Sequence, residues 1–274
     1  MRVRFDERVV LVTGAGRGLG EAYACLIARL GGTVVVHDAG VERDGTGGDP
    51  APARDVADAI TRAGGRAGAD HVNLNTREGC EDLVERTVKR FGRLDALIHN
   101  AGIVRYGPIT ATTPEEWEAM RLVNTDAPDW LCRAAWPHLR SRSYGRLVLT
   151  ASGYGLNAYE GSDVTAYGVG KAAQFGLMNG LAGEGANLGI RTNAVAPVAG
   201  TRIFRDRTRA PSLPVENVAA AVALLASEAC PWNARVLSAD GGRYRLGGFS
   251  HEREVHLDGT PDPEDVLVAL EGTP

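Results

Sequence analysis

Residues Thr13–Gly20 read TGAGRGLG, between the short apolar run Val9–Val12 and a pattern with Ala22, Cys25, Leu26 and Leu30 at helical spacing. Strand, glycine loop, helix is the order a pyrophosphate site requires. Glycines let the backbone approach the phosphates, and the helix start offers free N–H groups and the positive end of its dipole. Glycine clusters also occur as plain turns. The next apolar run, Thr33–His37, separates the two readings by ending in Asp38, about 20 residues beyond the loop, where a carboxylate accepts hydrogen bonds from an adenosine ribose. Such a carboxylate repels a 2′-phosphate, so NAD is expected over NADP. Arg17, inside the loop, is the residue able to pair with that phosphate instead.

Working outward, residues 40–53 (GVERDGTGGDPAPA) hold Gly, Asp and Pro without periodicity and are expected to form a long surface loop, functional or a tolerated insertion. Helical patterns follow at Arg54–Ala63, at Arg77–Phe91 with Leu83, Val84 and Val88 inward, and from Pro114 through Trp117, Met120 and Val123 to Leu139. Two more run from a cap at Thr165 or Ser162 to Asn187, and over Val215–Ser227. Strands are expected at Arg66–Val72, Leu94–Ile98, Arg146–Thr150, Arg191–Ala196 and Arg235–Ser238. This alternation predicts an α/β fold in one domain, 1–274: a doubly wound parallel sheet of about seven strands with right-handed crossovers. Residues 243–274 would extend past the last strand, over the pocket or a neighbouring subunit.

Polar residues stand where the strands end. His99-Asn100-Ala101-Gly102 follows one strand and Ser152 another, at the carboxyl edge where open α/β sheets bind ligands. Asn124 lies inside a helical pattern, where Asn is a poor helix former. Tyr167 and Lys171, four residues apart, share a helix face. An amine set against the phenol oxygen would favour its ionised form and lower a pKa of about 10 towards neutrality, which makes a proton donor. The same spacing also arises as a solvated surface pair.

With 274 residues, 44% hydrophobic content and a formal charge of −4, the chain can bury a full core and offers no nucleic-acid surface. Its one basic concentration is Arg202, Arg205, Arg207 and Arg209, a solvated face or a site for the phosphates of a CoA or carrier-protein thioester. No signal peptide, membrane span or metal-ligand spacing is seen, and the four scattered cysteines lack CxxC pairing. A cytoplasmic location is expected.

Taken together, TGAGRGLG, HNAG at His99–Gly102, Asn124, Ser152, the Tyr167 and Lys171 pair and NAVAP at Asn193–Pro197 resemble the short-chain dehydrogenase/reductase family, in its order. The resemblance implies a Rossmann fold and a nicotinamide cofactor held by Gly14, Arg17, Gly18, Leu19, Gly20, Asp38, Asn75, Asn100, Ala101, Gly102, Tyr167, Lys171 and Pro197. It implies Tyr167 as the acid/base at a carbonyl or alcohol oxygen and Ser152 as a hydrogen-bond partner of that oxygen. Lys171 would lower the Tyr167 pKa and hold the nicotinamide ribose, and Asn124 would anchor a water that passes protons to Lys171. GLGEAYA, VVVHDAG, RAAWPHL, YGR and APVAGTR are similar to the (3R)-hydroxyacyl-CoA dehydrogenase part of the peroxisomal multifunctional enzyme and its bacterial relatives. That similarity implies oxidation of a 3-hydroxyacyl thioester, with a polyketide, steroid or cyclic alcohol as the alternative substrate. A non-catalytic dinucleotide-binding regulator is the reading from another class. The family is commonly a homodimer or homotetramer through the helices near Pro114 and Thr165.

Three positions depart from the pattern. His99 stands where Asn is usual, Asn75 where an Asp commonly faces the adenine amine, and Ser152 lies 15 positions before Tyr167, which suggests a small insertion around Tyr159–Asp163.

Overall fold

The structure, a computed structural model, describes residues 2–161, 163–203, 210–249, 254–257 and 259–271. Its elements are β1 (Val9–Thr13), α1 (Gly18–Arg29), β2 (Thr33–His37), α2 (Ala51–Arg62), β3 (Arg66–Asp70), α3 (Arg77–Phe91), β4 (Ala96–His99) and α4 (Pro114–Arg121). There follow α5 (Ala127–Ser141), β5 (Gly145–Thr150), α6 (Thr165–Gly185), β6 (Ile190–Val198), α7 (Val215–Ala226), β7 (Val236–Asp240), β8 (Arg243–Gly247) and α8 (Pro263–Glu271). One sheet runs in the order β3-β2-β1-β4-β5-β6-β7-β8, and its first seven strands are parallel. The order reverses between β1 and β4, which opens a crevice at the carboxyl ends of the central strands.

Alternation along the strands builds two cores. Val10, Val12, Val34, Val36, Ile98 and Val148 face α1, α2 and α7 through Tyr23, Ile27, Val56, Ile60 and Val222. Leu11, Val35, Leu97, Leu147 and Leu149 face α3, α5 and α6 through Leu83, Leu131, Phe175 and Met178. Strands covered on both sides read as near-continuous apolar runs, and β1, β2, β4 and β5 are buried at every position, with polar residues mainly at their ends.

The α/β fold is as expected, and four details of it differ. The sheet has eight strands, because β8 turns back antiparallel on β7 through Gly241 and Gly242, both at positive φ. β8 is exposed along its length and so lacks the apolar signature of the inner strands. The surface loop stops at residue 50, since α2 starts at Ala51, with Asp49 accepting the Ala51 N–H and Pro52 in the first turn, where a missing N–H costs nothing. The single helix from Pro114 to Leu139 is broken by a π turn at Leu122–Asp126, because Pro128 has no N–H for the Asn124 carbonyl four residues earlier. α6 begins after Val164 without a side-chain cap from Thr165, and Ser162 lies outside the described residues.

Asp95 pins β1 to β4 below the crevice. Fully buried, its carboxylate accepts from Val9 N at 2.9 Å, from Arg93 at 2.7 and 2.6 Å and from Arg8 at 3.3 Å. Asp95→Ala orphans the Val9 N–H and removes both bonds of Arg93, while Arg8 keeps Glu228 at 2.9 Å, and is expected to cost about 3 kcal/mol in urea unfolding. A loss under about 0.5 kcal/mol would show that the cluster behaves as a solvated surface pair.

Candidate active site

The crevice holds a cavity of about 350 Å³. Gly14, Arg17, Gly18 and Leu19 form one wall, and Asn75, Asn100, Ala101 and Gly102 another. α1 starts here with no side chain capping its first N–H groups, as an anion site requires. Gly14 has a φ of +61°, and a Cβ there would come within 2.8 Å of the Ala101 Cα. A Cβ on Gly20 would strike the Gly14 carbonyl, so Gly20 supports the loop from beneath and does not line the cavity. Asp38 is buried at the cavity wall, with its carboxylate oxygens accepting from Gly16 N at 2.9 Å and Gly40 N at 2.8 Å. Its remaining lone pairs can serve ribose hydroxyls. Uncapped helix start, glycine cradle and carboxylate fit an adenine dinucleotide. Pro197 is instead a paired residue of β6, opposite Ala239, and does not line the cavity.

His99 is accommodated by Thr13. The Thr13 hydroxyl accepts from Asn100 N at 3.0 Å and Ala101 N at 3.1 Å, so its own proton goes to His99 Nδ1 at 3.3 Å. Burial holds the His99 pKa well below its usual value, and the imidazole is neutral.

The cavity also uses Val41 and Gly45 of the 40–50 loop, Ile103 and Val123, which the motifs did not single out, and the turn Gly200–Thr201 after β6, which belongs to the APVAGTR stretch. Val104 N donates to Arg43 O at 3.1 Å and Arg105 Nε to Asp44 O at 3.0 Å, so the loop is fixed across the cavity mouth. Arg202 lines the cavity 3.8 Å from Glu42. Arg205, Arg207 and Arg209 lie outside the described residues.

Behind Gly102 the chain gathers Ser152, Tyr167, Lys171 and Asn124, all buried. A Cβ on Gly102 would lie 3.0 Å from Asn124 Oδ1 and 3.3 Å from Lys171 Nζ. Among the described residues no hydrogen bond joins the Lys171 amine to the phenol oxygen. The amine donates to Thr150 O at 2.7 Å and lies 5.7 Å from the Tyr167 ring centre. The i,i+4 relation sets a shared face, but the long lysine stem carries the amine across to the end of β5. Burial pushes Lys171 down to about 7 and Tyr167 up to about 12, with the Ser152 hydroxyl pulling Tyr167 the other way. Burial thus favours the uncharged form of each group. Asn124 spends its side chain on Ile103, accepting from its N–H at 3.2 Å and donating to its carbonyl at 2.9 Å. Beside Tyr167 stand Tyr154, at 6.4 Å between ring centres, and Tyr159, 5.0 Å from Tyr154.

The sequence profile of the short chain dehydrogenase family matches residues 8–209. The chain belongs to that family. It is 39% identical over 266 residues to a short-chain type dehydrogenase/reductase of Mycobacterium tuberculosis, across 96% of this chain and 92% of that one. It is 37% identical over 248 residues to the peroxisomal multifunctional enzyme type 2 of Mus musculus, across 89% of this chain but only 32% of the mouse protein. The crystal structure of a short chain dehydrogenase from Mycobacterium avium superimposes with a TM-score of 0.81 at 34% identity, covering 97% and 96% of the two chains. The protein is thus an oxidoreductase of the short-chain type, a family that uses NAD or NADP. Among the described residues no cluster could hold a metal ion, and no helix is long and apolar enough to cross a membrane.

The depressed Lys171 pKa has a consequence for stability. Between about pH 7 and pH 10 the unfolded lysine is charged and the folded one is not, so the unfolded state binds more protons and stability rises with pH. Without cofactor, the stability of the wild type should rise relative to Lys171→Met from about pH 7 to pH 9.5, by at most about 1.4 kcal/mol per pH unit. Parallel urea-unfolding profiles for the two proteins would contradict this.

Proposed function

We propose that the protein is an NAD-dependent dehydrogenase that interconverts a secondary alcohol and its ketone, with a 3-hydroxyacyl thioester as substrate. The observation that carries this reading is Asp38, a buried carboxylate on the wall of the same cavity that Gly102 separates from Lys171. A carboxylate there accepts from ribose hydroxyls and repels a 2′-phosphate.

The bound nicotinamide supplies the hydride donor or acceptor. In the reducing direction Tyr167, protonated up to about pH 12, gives its proton to the ketone oxygen while the Ser152 hydroxyl donates to the same atom. Lys171, titrating at about 7, restores that proton at neutral pH. In the oxidising direction the alcohol proton takes the reverse path.

Support for a thioester comes from the similarity to the mouse multifunctional enzyme and from Arg202, which sets a guanidinium at the cavity for the phosphates of CoA or a carrier protein. Tyr106, Tyr154 and Tyr159 favour a second reading, a flat ring alcohol such as a polyketide, steroid or cyclic alcohol. Tyr154 and Tyr159 meet edge to face beside Tyr167, and Tyr106 is half-buried with its hydroxyl donating to Ile203 O at 2.8 Å. For assembly we propose a homodimer or homotetramer in the cytoplasm, through α4 and α6, where Trp117 and Val169 are exposed.

An absorbance assay at 340 nm, pairing NAD or NADP with 3-hydroxyacyl-CoA esters of several chain lengths and with simple ring alcohols, tests both parts. NAD with the thioesters should give the highest kcat/KM, and ring alcohols alone would favour the second reading. Asp38→Ala with Ala39→Arg should move the cofactor ratio towards NADP by at least about ten-fold, or 1.4 kcal/mol. An unchanged ratio would show that Asp38 is not the selector.

A further inference from the structure

Gln174 lies three residues after Lys171 on α6, on the same helix face, and is 1% exposed. Its Nε2 donates at 2.9 Å to the main-chain carbonyl of Asn124. The amide cannot be reversed, since that would set its oxygen against the carbonyl oxygen. In an uninterrupted α-helix the Asn124 carbonyl would be met by residue 128, and Pro128 has no N–H, so the Gln174 amide supplies a donor in its place. Gly170 allows the contact, as a Cβ there would lie 2.7 Å from the Asn124 Cβ. Gln174 Oε1 is buried without a hydrogen-bond partner among the described residues. An acceptor in that state calls for a donor, and a bound water is the one that suits a small polar site.

We propose that Gln174 is a positioning residue of the reaction: its amide replaces the helical donor that Pro128 removes, fixes the Asn124 carbonyl against α6 near Gly170, and offers Oε1 to the proton path. The proposal rests on the dehydrogenase reading, in which Lys171 resupplies Tyr167. It also assigns a joint role to the π turn and to Pro128, which otherwise reads as a helix defect. The titratable groups facing Lys171 are Tyr167 on its own helix and His99 at the end of β4.

The test is the set Gln174→Leu, Pro128→Ala and their combination, with kcat and KM measured across pH on the best substrate of the panel. Gln174→Leu should lower kcat about ten- to a hundred-fold, the scale of a mispositioned catalytic group, and shift its pH profile while the KM for NAD holds. Adding Pro128→Ala returns an N–H to the Asn124 carbonyl and should recover most of that loss. A Gln174→Leu protein that is merely less stable, with wild-type kcat and pH profile, overturns the proposal, as does a double variant that recovers nothing. NAD binding by tryptophan quenching reports a folded site in each variant. If the wild type turns over no substrate, the dehydrogenase reading fails. The pH dependence of urea unfolding then decides on Gln174: a Lys171 midpoint moved down in Gln174→Leu supports its contact with that network, and an unmoved one overturns it.

Discussion

Two hydroxyl-centred hydrogen bonds hold the site open. Thr13 ends β1 and accepts from the N–H groups of Asn100 and Ala101, while the Asn100 amide donates back to Thr13 O at 3.2 Å and Gly14 O at 2.9 Å. The clasp joins the ends of the two strands between which the sheet order reverses. The glycine loop is held from the β2 side as well, by Gly16 N on Asp38 and Ala15 N on His37 O. With the clasp, the start of α1, Asp38 and Gly102 face one cavity. Two motifs separated by more than eighty residues are thus one piece of structure, as the separation of Thr13 and Asn100 in the chain shows.

The proton-handling group lies on the other side of Gly102 and depends on a different balance. Lys171 is buried against the Thr150 carbonyl with no carboxylate in contact among the described residues, and desolvation brings it down to about 7. Tyr167 is raised by the same burial. In the proposed reaction the pair would act as a protonated phenol and an exchangeable amine. Glycines permit the close packing this needs: a Cβ on Gly155 would press into the backbone of α6 at Ala172, and one on Gly170 into the π turn.

Much of this could be read from the residues. The glycine loop, Asp38, the strand-end Asn100 and the Tyr167–Lys171 face are local patterns whose geometry follows from strand and helix periodicity, and the parallel sheet follows from their alternation. What escaped depends on reach or on missing donors. Spacing gives a helix face but not where a lysine stem ends, so the Thr150 contact was invisible. Helical periodicity continued smoothly through Asn124, and the π turn follows from one absent N–H at Pro128. β8 escaped because an exposed edge strand carries no apolar run, and Gln174 because a buried glutamine in a helix is indistinguishable from a surface one until its partner is known.

The central claim is that Tyr167 moves the proton while the cavity around Asp38 holds the cofactor, and the most direct measurement is Tyr167→Phe assayed with NAD and 3-hydroxyacyl-CoA esters alongside NAD binding. The claim predicts NAD affinity close to that of the wild type and a fall in kcat of about a hundred-fold or more. A kcat equal to the wild type's, with NAD still bound, would contradict it.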